Sequence, residues 1–141
     1  MEKSLIRNIT PEETYDLRHR VMWPDHPIEY IILPEDQDGI HFGLFMERKL
    51  VSVVSLFITG NEAQFRKFAT EIPEQGKGYG TQLLSYLIHF AESKGIQRIW
   101  CNARVDRTDF YKRFNFEKTN STYSKGGIDF VILERVSPSS S

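Results

Sequence analysis

Glu74-Gln75-Gly76-Lys77-Gly78-Tyr79-Gly80-Thr81 is the stretch that decides the fold. Three glycines alternate with other residues, and an apolar pattern at helical spacing follows at once: Leu83, Leu84, Leu87, Ile88 and Ala91. Ahead of the glycines, Ala63-Gln64-Phe65-Arg66-Lys67-Phe68-Ala69-Thr70 reads as a strand. Strand, glycine loop and helix together aim several backbone N–H groups at one point. Glycine lets the main chain approach an anion closely, and the first turn of a helix offers unpaired donors and a partial positive charge. A phosphorylated ligand fits such a loop, although the same glycines would also serve a bare strand-to-helix turn. Two other phosphate loops do not match. The P-loop places its Lys after the last Gly, whereas Lys77 lies between glycines. The dinucleotide fingerprint Gly-x-Gly-x-x-Gly is one residue longer than Gly76-Gly78-Gly80.

Outward from this loop the elements alternate. Thr10-Pro11-Glu12-Glu13 marks a helix start, with Thr10 as cap, Pro11 in the first position and Glu13 completing a capping box. That helix should run to about Met22, stopped by Pro24. Residues 23–38, with Pro24, Pro27 and Pro34, predict a long loop. Residues 40–47 and 50–58 form a strand hairpin across Glu47-Arg48-Lys49, and Thr59-Gly60-Asn61-Glu62 turns into the strand before the glycine loop. The loop's helix ends near Lys94-Gly95. Gln97–Ala103 predicts a fifth strand. Asp106 is the expected cap of a short helix holding Phe110, Tyr111 and Phe114. A polar turn then leads to a last strand, Gly127–Val136. With a possible first strand over 4–9, the order is β, α, three antiparallel strands, α, β, α, β, a mixed α/β (α+β) sheet protein.

The chain has 141 residues and a formal net charge of −1. One domain over residues 1–136, with a loose tail over 137–141, is expected. The near-neutral charge argues against a general nucleic-acid binder. The single Cys101 excludes an internal disulfide, and within Ile99-Trp100-Cys101 it reads as a buried structural thiol rather than a nucleophile. No metal-ligand set is evident. No apolar run reaches membrane-spanning length, and no signal-peptide core opens the chain, so no membrane partner and a cytoplasmic location are expected.

This order of elements, with these motifs, resembles the GNAT family, the GCN5-related N-acetyltransferases. The resemblance covers roughly residues 4 to 135. Gln75-Gly76-Lys77-Gly78-Tyr79-Gly80 matches the family pattern Gln/Arg-x-x-Gly-x-Gly/Ala, which cradles the pyrophosphate of acetyl-coenzyme A. Phe110-Tyr111-Lys112-Arg113-Phe114-Asn115-Phe116 is similar to the family's Phe-Tyr-x-x-x-Gly-Phe segment. Asn115 departs from the usual Gly, yet Asn is the non-glycine residue that best tolerates a left-handed backbone. Arg107 stands where many members have a small residue.

What the resemblance implies is direct attack of an amine on the thioester of acetyl-CoA, without an acyl-enzyme and without a metal. It implies that the pantetheine lies along a bulged, splayed strand, here at Phe68, Ala69 and Thr70. A backbone N–H of that stretch would then stabilise the oxyanion. Phe65 and Phe68, three apart, break strict strand alternation. A bulge reconciles them, and so does burial on both faces. Gln75, Gly76, Lys77, Gly78, Tyr79, Gly80 and Thr81 would hold the diphosphate. Lys77 adds charge or stays a solvated lysine. Phe110 would line the site, and Tyr111 would return a proton to the departing thiolate. By pattern alone Tyr111 also reads as an aromatic anchor.

The general base stays open. Some members have an acid where Gln64 stands, and His41, Glu71, Asp25, His26 and Glu29 are the alternatives, alongside a water chain. Arg66 could meet a substrate carboxylate or simply face solvent. Trp23, Tyr30, His41 and Phe42 are the expected lining of an acceptor pocket. The implied acceptor is a small-molecule amine handled by a monomer or homodimer. A protein N-acetyltransferase and a non-catalytic acyl-CoA sensor of the same fold are the alternatives.

Overall fold

Helix α1 (Pro11–Met22) begins with the expected capping box. The Glu13 N–H donates to Thr10 Oγ1 at 3.2 Å, and the Thr10 N–H donates to Glu13 Oε1 at 2.9 Å. Two orphan donors of the first turn are thereby satisfied. The computed structural model, which describes residues 4–137, places α1 on one face of a sheet. That sheet comprises strands β1 (Ser4–Ile9), β2 (Ile40–Met46), β3 (Lys49–Thr59), β4 (Glu62–Thr70), β5 (Arg98–Arg104), β6 (Glu117–Lys125) and β7 (Ile128–Val136). Their spatial order is β1-β2-β3-β4-β5-β7-β6. Helix α2 (Tyr79–Ser93) covers the other face, and the short α3 (Asp109–Lys112) follows β5.

Binary patterning explains both layers. Leu83, Leu84, Leu87, Ile88 and Ala91 recur on one side of α2 and bury against Phe42, Leu44, Val54, Leu56 and Phe65. Each fully buried leucine contributes about 1.5–3 kcal/mol of apolar transfer free energy. On the opposite face Leu17 of α1 packs with Ile9, Val53 and Ala69. A polar knot shares that face. Arg18 is fully buried, donates to both carboxylate oxygens of Asp36 at 2.9 and 3.0 Å, and reaches Ser55 Oγ at 2.9 Å. Burial pushes the Asp36 carboxyl upward, but the Arg18 bonds and the Leu33 N–H outweigh it and hold the group below its ordinary value.

Several details differ from the sequence reading. The segment taken as a polar turn is β6, an edge strand exposed along most of its length and paired with β7. Its residues Glu117–Lys125 have no buried face, so no apolar alternation marks them. Residues 23–38 contain two 3₁₀ turns, Ile28–Ile31 and Asp36–Asp38. Asp106 does not cap α3. It lies in the 3₁₀ turn Val105–Arg107 and sits 3.6 Å from Arg104, while Thr108 precedes the helix and Phe114 lies beyond it. Of the expected loose tail, Ser137 donates its N–H to the Gln97 carbonyl at 2.8 Å. Residues 138–141 lie outside the described residues. Among the described residues, no helix is long and apolar enough to cross a membrane.

Candidate active site

All strand pairs are antiparallel except β4 with β5, and that parallel pairing covers only Glu62–Gln64 against Arg98–Trp100. Among the described residues, the β5-facing edge of β4 has no strand partner from Phe65 onward. The same strand is bulged on its other side. Val53 pairs with Ala69 and Ser55 with Arg66, so Lys67 and Phe68 together oppose Val54. Lys67 takes a left-handed φ of 56° to accommodate the extra residue. The broken alternation of Phe65 and Phe68 thus has its cause: both rings pack on the α2 side, 6.3 Å apart.

Beyond Thr70 the chain turns through Ile72–Glu74 into the glycine loop. The Gln75 side chain donates to the Thr70 carbonyl at 2.9 Å and draws the loop onto the strand end. Gly78 caps α2 with φ 87°, a left-handed conformation that a side chain would strain. Among the described residues no side chain caps this end, and no acidic residue lies in the first turn. The N–H groups of Tyr79, Gly80 and Thr81 therefore have no carbonyl within the helix, and the dipole adds a partial positive charge.

A cleft of about 600 Å³ opens between this helix start, the end of β4 and α3. Phe68, Thr70, Gln75, Gly76, Gly78, Tyr79, Gly80, Thr81, Phe110 and Tyr111 of the expected set all line it. Two expected residues do not. The Ala69 side chain turns to the α1 face, leaving only its backbone on this strand. Lys77 points to Glu74, 3.3 Å away, which offsets its charge. The sequence reading missed Arg113 as a wall of the cleft and treated Arg107 only as a departure from the family. Both bring positive charge, and Arg113 lies over the Phe110 ring at 5.0 Å. No spacing rule marks either one, because their proximity depends on how α3 docks.

Tyr111 is held among Phe65, Phe110 and Phe116, with ring centroids 5.9, 5.2 and 6.1 Å away. Burial, reinforced by nearby Cys101, raises its hydroxyl well above the ordinary tyrosine value. Burial also pushes the Cys101 thiol up to about 12, so it carries no thiolate at neutral pH. Asn115 adopts φ 67°, the left-handed turn expected where the family has Gly.

Two of the candidate bases, His41 and Glu71, are otherwise engaged. His41 is buried, with Nε2 2.8 Å from the Asp36 carbonyl and Nδ1 2.6 Å from Ser55 Oγ. The carbonyl can only accept, so Nε2 carries the hydrogen and Nδ1 accepts from Ser55. Glu71 receives two bonds from Arg20, at 2.6 and 2.8 Å, which hold its carboxyl below the ordinary range. Arg66 pairs with Glu35 rather than facing solvent alone. Phe42 belongs to the core against Tyr86 and Phe90, so it lines no acceptor pocket. Trp23, His26 and Tyr30 form an aromatic set on the 23–38 segment, with His26 stacked on Tyr30 at 4.3 Å.

A sequence model described as an acetyltransferase (GNAT) domain matches residues 7–136. The chain belongs to the GNAT acetyltransferase family. It is therefore an enzyme of the acyltransferase class, with the seven-stranded mixed sheet and helices of that fold. A curated relative, the uncharacterized N-acetyltransferase YitI of Bacillus subtilis (strain 168), is 26% identical over 137 residues, spanning 91% of this chain and 92% of the relative. Among solved structures, the ribosomal-protein-S18-alanine N-acetyltransferase of Escherichia coli superimposes with a TM-score of 0.82 at 17% identity, over 98% of this chain and 97% of that one. A Bacillus subtilis acetyltransferase in complex with CoA gives 0.74 at 19% identity, over 98% of this chain and all (100%) of that one. The two structures share the GNAT fold with this chain.

Proposed function

We propose that this GNAT enzyme transfers the acetyl group of acetyl-CoA directly to the amine of a small molecule. The observation that carries the reading is one cleft shared by three elements: the uncapped start of α2 with its left-handed glycines, the bulged end of β4, and Tyr111. The family and the CoA complex of a fold neighbour support the choice of carrier. Amides from Gln75 to Thr81 grip the diphosphate, and Arg107 and Arg113 add charge beside it. The pantetheine runs along the unpaired edge of β4 at Phe68, Ala69 and Thr70, against Phe110. One N–H of that edge stabilises the oxyanion.

Attack forms the N–C bond and breaks the C–S bond. The proton on the attacking nitrogen leaves to water in this scheme, and His41 and Glu71 stay bonded to their own partners. The departing sulfur takes the proton of Tyr111, whose raised pKa keeps it protonated at working pH, and the phenolate recovers from water the proton that the nitrogen released. Residues 1–136 act as one catalytic domain in this scheme.

Calorimetry with acetyl-CoA, ATP and NAD tests the carrier, and thiol release across a panel of amines tests the reaction. Binding of acetyl-CoA alone with amine-dependent thiol release supports the proposal. Preference for ATP or NAD, or binding without release for any amine, overturns it.

A further inference from the structure

Among the described residues that line the carrier cleft, Glu74 alone is acidic. It shares that wall with Gly76, Gly78 and the start of α2, where the scheme above seats a diphosphate. Like charges held close repel, and more strongly where protein displaces water. A free carboxylate at this point of the wall works against the backbone amides beside it.

The chain does not leave it free. Lys77 Nζ donates to both carboxylate oxygens of Glu74, at 3.4 and 3.3 Å. Between the two residues Gly76 takes a left-handed φ of 81°, so the pair closes across a bend that a side chain at 76 would strain. Lys77 itself is not part of the wall, although Gly76 and Gly78 on either side of it are. The other cations of the wall, Arg107 and Arg113, make no ion pair with Glu74 among the described residues. Lys77 is therefore the one cation that this carboxylate has, and the ammonium meets it rather than the cleft.

We infer that Lys77 is a positioning residue that serves carrier binding through Glu74: it holds and neutralises the wall carboxylate and touches no phosphate itself. This rests on the acetyltransferase reading above and deepens it at the same site. Without Lys77, Glu74 becomes an unpaired anion in a wall that has to receive another. The effects of the two side chains on carrier affinity are then coupled. A lysine in contact with the phosphates would act whatever stands at 74, and a merely solvated lysine would not act at all.

The test is a double-mutant cycle read by calorimetry with acetyl-CoA, on wild type, Lys77→Gln, Glu74→Gln and the two combined, with urea unfolding of each as a control. At low salt Lys77→Gln should raise the Kd roughly threefold to tenfold, the scale of one exposed charge pair. In the Glu74→Gln background the same substitution should change the Kd by less than about twofold. Lys77→Arg should keep most of the affinity, and the Lys77→Gln loss should shrink as salt screens the repulsion. In turnover the loss should enter through KM for acetyl-CoA more than through kcat. An unchanged Kd in Lys77→Gln, an equal loss in both backgrounds, or a loss that follows a lowered unfolding midpoint overturns the inference. If the wild type binds no acetyl-CoA, the acetyltransferase reading falls and this inference with it. Normal wild-type binding with uncoupled variants removes this inference alone.

Discussion

A Cβ placed on Gly80 would stand 3.2 Å from Cζ of Phe68. The start of α2 therefore rests directly on the bulged end of β4, and the glycine loop and the free edge of β4 are positioned by one contact. Gly80→Ala pits two effects against each other. Alanine favours the helix by up to about 1 kcal/mol, while the Phe68 ring must shift by a few tenths of an ångström. The ring lines the cleft, so the cost should appear in binding more than in stability. Unfolding midpoints should stay nearly unchanged, while calorimetry reports a Kd for acetyl-CoA roughly threefold to tenfold higher, on the order of 1 kcal/mol.

Tyr111→Phe keeps the ring packed among Phe65, Phe110 and Phe116 and removes only the hydroxyl, the proposed proton donor. Turnover should fall roughly a hundredfold, with acetyl-CoA affinity within about twofold. Because burial raises the hydroxyl above its ordinary value, the protonated form persists through moderately alkaline pH. Wild-type kcat should therefore climb with pH as the acceptor amine deprotonates, with no descending limb below about pH 10. A descending limb centred near neutrality would remove Tyr111 as the acid.

Cys101 offers a test of direct transfer. Its thiol is buried and pushed up to about 12, so it should resist aromatic disulfide reagents until the chain unfolds. Cys101→Ala should retain most of the activity at substrate saturation. Loss of turnover in a folded Cys101→Ala variant, together with a trapped acetyl-enzyme, would point to a covalent route instead.

The Arg20–Glu71 pair gives a pH signature. Arg20 depresses the Glu71 carboxyl, so the pair contributes stability above the unfolded carboxylate range and loses it as pH falls through the lower folded value. Arg20 is about half exposed, which limits the contribution to about 1 kcal/mol. Glu71→Gln should show that loss in urea unfolding at about pH 7, and the gap to wild type should close toward about pH 3.

The Arg18–Asp36 pair should be far less tolerant. Both side chains are almost fully buried, so Arg18→Met strands a carboxylate in the interior. The expected cost is about 3–5 kcal/mol, read from urea unfolding. Adding Asp36→Leu should recover part of it, because the stranded charge then disappears.

The parts of the molecule that were legible in the sequence are those governed by local rules. Thr10 and Glu13 announced the start of α1 because a capping box needs only four adjacent residues. Phe65 and Phe68 hinted at the bulge because strand alternation is strict. Asn115 kept the left-handed turn because its own backbone preference allows it. What stayed hidden depends on distant partners. Strand β6 exists through its pairing with β7, including the Thr119 hydroxyl bond to the Ile132 carbonyl, and nothing in Glu117–Lys125 itself demands it. His41 looked available as a base because the sequence does not show Ser55 and Asp36 folding onto it. Arg113 reaches the cleft only because α3 docks over β4.

The parallel seam between β4 and β5 is three residue pairs long, and it joins the two wings of the sheet. A thioester carrier laid along the free edge beyond Gln64 would act as mortar in that seam, bonded to one wing and packed against the other. Whatever binds the native chain and not the unfolded one adds to its stability by mass action. Scarcity of the acyl donor would then shorten the lifetime of the folded catalyst as well as slow it, tying the abundance of this enzyme to the metabolic supply it consumes.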